Sequence, residues 1–368
     1  MAAQLLIGIM SGTSLDGVDA ALVAFKNDTC VLQNTQFLPY PDEIKSQLLA
    51  LHKPENNELE AAWLLGCRLA DLYAKTVKKL LIKAKVNASD IAAIGCHGQT
   101  IRHRPELGFT LQIGNNALLA ELTNITVVGD FRSRDIAAGG QGAPLVPAFH
   151  QALFANKKLN RAIVNIGGIA NITYLGKNGK VLGFDSGPGN MLIDSWTKLK
   201  TGKDYDADGA WAASGVVIDS LLSSMLAEPY FALPPPKSTG RDLFNDDWLK
   251  QHQLYPHLRP QDVARTLTEL TAHSIADALK KCGDVGEVYC CGGGAHNQLL
   301  FDALRTNIHA DSGAPTLSTT KDLGIDVDWV EAVAFAWLAK QTIENKPGNL
   351  PAVTGAKGLR ILGAIYPN

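Results

Sequence analysis

The run Gly8 to Val23, GIMSGTSLDGVDAALV, places Gly12, Thr13, Ser14, Leu15, Asp16, Gly17, Val18 and Asp19 directly after an apolar start, Leu5–Leu6–Ile7. Small residues in a turn let backbone N–H and hydroxyl groups approach a phosphate closely. Asp16 and Asp19 add carboxylates able to hold a metal ion, directly or through water. The same string also serves as an ordinary turn between strands. A second bare turn, Gly167–Gly168, follows Asn165 in RAIVNIGGIANITY. A third, Gly292–Gly293–Gly294, precedes Asn297 in VYCCGGGAHN and strips every Cβ from a strand-to-helix connection. A flat base or a ribose fits against such backbone, and a helix N-terminus faces a phosphate. No GxxxxGK[ST] run occurs, which argues against a P-loop enzyme. The nucleotide reading rests on the three turns together.

Asp185 in GFDSGPGN stands at the end of an expected strand and before a Gly/Pro turn, where a carboxylate serves as a general base. The competing role is an Asx turn or a helix N-cap. CHGQT and the IRHRP after it offer His97, Gln99, Thr100, Arg102 and His103, amides and hydroxyls suited to sugar hydroxyls with Arg for a carboxylate. GDFRSRDIA adds Arg132, Arg134 and Asp135, a substrate clamp or a structural ion pair. Glu331 enters a strongly apolar segment, either as a partner of the first-turn dipole or as an inward group of a site. There is no GxSxG elbow and no HExxH, and the 9 His are scattered.

Strands alternating with helices imply an α/β architecture with substantial parallel pairing. Two halves each open on a hairpin, Leu5–Phe25 and Arg161–Tyr174, a weak internal repeat of pattern rather than identity. Helical spacing runs from Asn57 to Lys85, Asn116 to Thr123, Thr266 to Cys282 and Trp329 to Thr342. The Gly/Pro-rich segment Gly139–Pro147 reads as the crossing between two domains, 1–145 and 146–368, with the last segment free to pack back on the first.

A formal charge of −2 argues against a nucleic-acid binder that works by bulk electrostatics. The 6 Cys form neither a CxxC pair nor a zinc spacing, so free thiols in a reducing cytoplasm are expected. The N-terminus lacks the basic and apolar regions of a signal peptide. No stretch reaches the roughly 18 apolar residues of a membrane span.

The motifs SGTSLDGVDAAL, CHGQT, GDFRSRDIAAGGQGAPLVPAFH, NIGGIANITYL, GFDSGPGNMLID, DADGAWAASG, PPKSTGRDLF and CGGGAHN occur in this order. Together they closely resemble the anhydro-N-acetylmuramic acid kinase family over essentially the whole chain. The resemblance implies an actin/hexokinase-like (ribonuclease H-like) ATPase fold, two related α/β lobes around a deep cleft. It implies ATP and Mg²⁺ as cofactors, the cytoplasm, a homodimer, and no nucleic-acid or membrane partner. It implies that water opens the 1,6-anhydro bridge and that the released O6 takes the γ-phosphoryl of ATP, in peptidoglycan recycling. Asp185 would deprotonate the water. Gln99, Thr100, Arg132, Arg134 and Glu331 would line the sugar site, with Arg132 or Arg134 on the lactyl carboxylate. Gly12, Thr13, Ser14, Leu15, Asp16, Gly17, Val18 and Asp19, with Asn165, Gly167, Gly168, Gly292, Gly293, Gly294 and Asn297, would cradle ATP. Sugar kinases usually open on an Asp-x-Gly-Thr turn, where this chain has Met10–Ser11–Gly12–Thr13, so Asp16, Asp19 and water-mediated contacts all stay open for the metal. Two rival classes remain. One is an ATP-independent hydrolase built on Asp185 and Glu331. The other is a non-catalytic sugar or nucleotide sensor.

Overall fold

A computed structural model describes residues 3–12, 14–27, 29–53, 57–252, 258–309 and 313–368. Thr13 therefore lies outside the described residues. The strands are β1 (Gln4–Met10), β2 (Gly17–Lys26), β3 (Thr29–Pro39), β4 (Ile91–Cys96), β5 (Gln99–Arg104), β6 (Phe109–Ile113) and β7 (Val127–Gly129). They continue as β8 (Arg161–Ile166), β9 (Ile169–Leu175), β10 (Val181–Pro188), β11 (Glu287–Cys291), β12 (Thr316–Thr319) and β13 (Ala364–Tyr366).

The chain packs as two units. The first is Met1–Leu153 with Trp329–Asn368, and the second is Phe154–Asp328. The sequence reading set its boundary at 145/146 and left the last segment free to pack back on the first domain; the compact units divide after Leu153 and again after Asp328.

In the first unit the sheet runs β13-β7-β4-β1-β2-β3, with β1 antiparallel to β2 and parallel to β4. Leu6, Ile7 and Ile9 of β1 are fully buried, as expected for a central strand covered on both faces. The helix Val330–Ile343 is apolar nearly all round and buried from Ala332 to Ala339. Its backbone comes so close that a Cβ on Gly8 would lie 1.8 Å from the Ala332 carbonyl oxygen, and one on Gly95 2.0 Å from that of Phe335. Those two glycines explain why a segment distant in sequence joins this unit. The helix Glu58–Ala84 buries Leu65, Leu69, Tyr73, Val77 and Leu80 in a core with Ile7 and Ile9 of β1. β5 and β6 form a separate antiparallel pair.

In the second unit the sheet runs β10-β9-β8-β11-β12. β9 is antiparallel to β8 and β10, and β11 is parallel to β8 and β12. The first unit repeats this order strand for strand as β3-β2-β1-β4-β7, with the same directions. The faint sequence repeat is thus a duplicated topology, and the fold is the α/β, actin/hexokinase-like arrangement that the resemblance implied.

One helix boundary differs from expectation. The helix expected from Thr266 begins at Pro260, which sits in the first turn, where a missing N–H costs nothing. β3 carries no strong apolar alternation, because it is the exposed edge of its sheet. Among the described residues no helix is long and apolar enough to cross a membrane.

Candidate active site

Asp185 lies within β10, which continues past it to Pro188 through an irregularity between Asp185 and Gly187. A strap from Tyr230 to Thr239 grips the residue at three atoms. Its N–H donates to the Lys237 carbonyl oxygen (3.0 Å), and its own carbonyl oxygen accepts from the Tyr230 hydroxyl (2.7 Å). Its Oδ2 accepts from Ser238 Oγ (2.9 Å) and from the Thr239 N–H (3.0 Å). The Lys237 ammonium sits 4.2 Å from the Tyr230 ring centroid and donates to the Tyr230 carbonyl oxygen at 2.9 Å. Burial raises the Asp185 carboxyl above its ordinary range, against the pull of Thr239, Ser238 and the Lys237 charge. Burial and the Lys281 charge bring Lys237 down to about 8. A carboxylate with one oxygen held and a raised proton affinity is the form a general base takes.

The first unit carries a different cluster. Arg132, before the short helix Ser133–Ala137, donates through Nη2 (2.9 Å) and Nε (3.3 Å) to His97 Nε2, and through Nη1 to the Gly142 carbonyl oxygen (2.9 Å). Burial lowers the Arg132 guanidinium to about 10, and the Glu331 charge opposes that fall. Glu331, in the first turn of the helix Val330–Ile343, has its carboxyl raised by burial against the Arg132 charge. Thr100 is half-buried on β5 and accepts from Gln112 Nε2 (3.2 Å). Arg134 is exposed. Gln99 is fully buried; its amide N–H donates to the Gly12 carbonyl oxygen (3.2 Å) and holds the first turn, while its buried Oε1 has no hydrogen-bond partner. Ser11 locks the same turn, with its hydroxyl donating to the Gly98 carbonyl oxygen (3.1 Å).

The glycines of the three turns separate into two kinds. A Cβ on Gly17 would lie 2.3 Å from the Leu38 carbonyl oxygen, one on Gly292 2.4 Å from Asn165 Oδ1, and one on Gly294 2.3 Å from Ile166 Cγ2. Packing alone requires these three. At Gly12, Gly167, Gly168 and Gly293 the nearest atoms lie at 3.7, 3.6, 3.8 and 3.9 Å, and none of the four is in the left-handed region. Neither packing nor backbone strain accounts for them. The carbonyl of Gly167 accepts from the Asn190 N–H (2.8 Å), and that of Gly168 from Gly189 (2.9 Å) and Met191 (3.2 Å). In a trans peptide the N–H points opposite its carbonyl. The N–H groups of Gly168 and Ile169 therefore face away from that segment, as an anion-binding turn requires.

Other expected nucleotide ligands have structural duties. Leu15 and Val18 belong to the hydrophobic core. Asn297 is buried, and its Oδ1 caps the helix Gln298–Ile308 by accepting from the Leu300 N–H (3.0 Å). Asn165, half-buried on β8, packs against Gly292. Ser14 and Asp16 are exposed and Asp19 is half-buried. Among the described residues no three His, Cys, Asp or Glu converge on a common point. The donors present suit an ion carried in on phosphate oxygens and held by one carboxylate, the usual mode for Mg²⁺.

Sequence reasoning missed Tyr230, Lys237, Ser238 and Thr239 as partners of Asp185. The only signal was a polar Lys-Ser-Thr run directly after three prolines.

Residues 4–368 match the family model for anhydro-N-acetylmuramic acid kinase. The chain is 55% identical to the anhydro-N-acetylmuramic acid kinase of Nitrosospira multiformis over 100% of both chains. It is 54% identical to that of Nitrosomonas europaea over 98% of this chain and 99% of the relative. Among solved structures it is similar to a ROK hexokinase from Thermus thermophilus, 17% identical with a TM-score of 0.40, covering 92% of this chain and 99% of that one.

Proposed function

Since the chain belongs to the anhydro-N-acetylmuramic acid kinase family, we propose that it adds water across the 1,6-anhydro bridge of 1,6-anhydro-N-acetylmuramic acid and phosphorylates O6 with ATP. The products are N-acetylmuramic acid 6-phosphate, ADP and a proton. This is a sugar-kinase reaction of cell-wall recycling.

The observation that carries the mechanism is the asymmetric grip on Asp185. Ser238 and Thr239 engage Oδ2 only, which leaves Oδ1 to take a proton. An ordinary sugar kinase uses its base on a substrate hydroxyl. Here O6 is bridged to C1 and has no proton to lose, so Asp185 takes the proton of the water that attacks C1. The C1–O6 bond breaks, and O6 leaves with the electron pair that attacks the γ-phosphorus. Burial raises the Asp185 carboxyl, which makes it a better proton acceptor than a solvated aspartate.

In the second unit the phosphates of ATP would lie on the backbone at Gly167 and Gly168, with Gly293 under the nucleoside; in the first unit the bare turn at Gly12 is the candidate phosphate contact. Bound Mg²⁺, held by Asp16 or Asp19, would neutralise charge spread over the phosphates. Arg132 and Glu331 would bind the sugar, joined by Thr100. Arg132 suits the lactyl carboxylate better than Arg134, because its guanidinium is held in place while Arg134 is exposed. All 6 cysteines are free thiols, in keeping with the reducing cytoplasm, where ATP is at hand.

The test is ADP release from ATP and Mg²⁺ with the anhydro sugar, beside Asp185→Asn, with the product weighed by mass spectrometry. We expect sugar-dependent ADP and a 6-phosphate carrying one added water, with the rate down about 100-fold or more in the variant. Ring opening without ADP would indicate a hydrolase, and binding without turnover a sensor. An unaffected Asp185→Asn variant would remove Asp185 from the mechanism.

A further inference from the structure

The geometry points to His97 as a positioning residue that holds Arg132 through a neutral acceptor rather than an ion pair, leaves N–H donors of the guanidinium for a ligand, and so makes a carboxylate on the sugar a condition of tight binding. The inference rests on the reading that Arg132 receives the lactyl carboxylate.

A guanidinium has five N–H donors. The Nε–H and one Nη2–H go to His97 Nε2, and one Nη1–H goes to the Gly142 carbonyl oxygen. That leaves one N–H on each terminal nitrogen. With the Nε edge turned to His97, one donor on each terminal nitrogen is left for a carboxylate, the group an arginine grips most strongly.

Both acceptors are neutral. For Nε2 to accept, its lone pair must face Arg132, so the imidazole proton sits on Nδ1. A protonated His97 would aim an N–H at the guanidinium and lose both bonds. Burial and the Arg132 charge push His97 down to about 3, so it stays neutral at any working pH. A buried arginine is more commonly answered by a carboxylate of the protein. Glu331 acts on Arg132 through its charge, but no described carboxylate forms an ion pair with it. The guanidinium is held in place, with N–H donors left for a ligand.

The imidazole is itself fixed. Its backbone N–H donates to the Ile9 carbonyl oxygen at 3.1 Å, and its ring packs on Phe335 with centroids 4.7 Å apart. Phe335 follows Glu331 by one helical turn and is 1% exposed. One helix thus carries both the acid beside Arg132 and the platform under the residue that orients it.

The experiment measures calorimetric Kd values for two ligands. One is 1,6-anhydro-N-acetylmuramic acid. The other is 1,6-anhydro-N-acetylglucosamine, the same bicyclic sugar without the lactyl group. They are compared on wild type, His97→Gln and His97→Glu, which place a neutral or a charged oxygen where Nε2 now sits. The ratio of the two Kd values is the readout, since a purely structural fault weakens both ligands alike. We expect His97→Gln to keep the ratio within about threefold even as absolute affinity falls, and His97→Glu to reduce it tenfold or more. Equal ratios in all three proteins, or equal loss in both variants, would overturn the role of His97. A wild type that does not prefer the acid would instead refute Arg132 as the carboxylate ligand. Should His97→Glu not fold, His97→Leu replaces it. Arg132 then loses two hydrogen bonds, and a ratio as high as that of His97→Gln would overturn the proposal.

Discussion

Gly168→Ala separates a glycine kept for a ligand from one kept for packing. The new Cβ would meet nothing nearer than Met191 Cβ at 3.8 Å, and the residue is outside the left-handed region. The fold loses no contact, and the unfolded chain loses freedom, so stability should hold or rise by about 0.4–1 kcal/mol. For a unit of this size that is a melting temperature unchanged or higher by roughly 1–4 °C. The methyl nevertheless ends the bare backbone on which the phosphate is proposed to lie. Losing one hydrogen bond to a phosphate costs about 1.5–3 kcal/mol, which is roughly a 10- to 150-fold rise in the KM for ATP. Gly189→Ala is the control. Its Cβ would lie 2.2 Å from the Gly167 carbonyl oxygen, an overpacking of about 1–3 kcal/mol or more, and its melting temperature should fall by roughly 3–10 °C. The assay is ADP release at saturating sugar with ATP varied, beside thermal melts of both variants. A Gly168→Ala protein that melts like wild type and keeps its KM for ATP within threefold would refute the assignment of this turn to phosphate.

Two further outcomes follow from ionisation. Ser238→Ala removes a donor that favours the charged Asp185. The carboxyl then rises further, and because the base works as carboxylate, the acidic limb of kcat/KM moves to higher pH while the plateau above it persists. A limb that stays put or moves down would detach Ser238 from the base. Burial depresses His97 and His150 to about 3 in the folded state, against about 6.5 when unfolded. Between those values the unfolded chain binds the extra protons, so stability falls as pH drops below about 6.5, by up to ~1.4 kcal/mol per pH unit for each imidazole. Urea denaturation from pH 7 to 4 should therefore show a slope shallower by about one proton in His97→Gln. An identical slope would mean that His97 is already charged in the folded protein.

The family motifs made the family and the fold legible, because residue type and order along the chain carry that information. What they could not carry is direction. In Gly292–Gly293–Gly294 all three residues look alike in sequence, yet packing demands the outer two and leaves only Gly293 bare. Gln99 has the amide of a sugar ligand, but sequence does not show that its N–H is turned to the Gly12 carbonyl oxygen while its Oε1 is left without a partner. Leu15 and Val18 fall inside a phosphate-type string yet both belong to the hydrophobic core, Val18 with Ala20 and Leu22 of β2. The partners of Asp185 sit more than 40 residues away along the chain, on an irregular strap with no periodicity to betray it. Arg132 shows the same limit at the level of charge. Sequence supplies a cation flanked by Arg134 and Asp135, which reads equally as a clamp or as an ion pair. Asp135 is in fact fully buried and accepts from Asn349, Thr354 and the Gly142 N–H. With that carboxylate spent on the fold, and with only His97 and a backbone carbonyl bonded to Arg132, the guanidinium cannot be the inner half of a structural ion pair. Burying a charge without one is expensive, and an acidic ligand that binds there would supply the compensation.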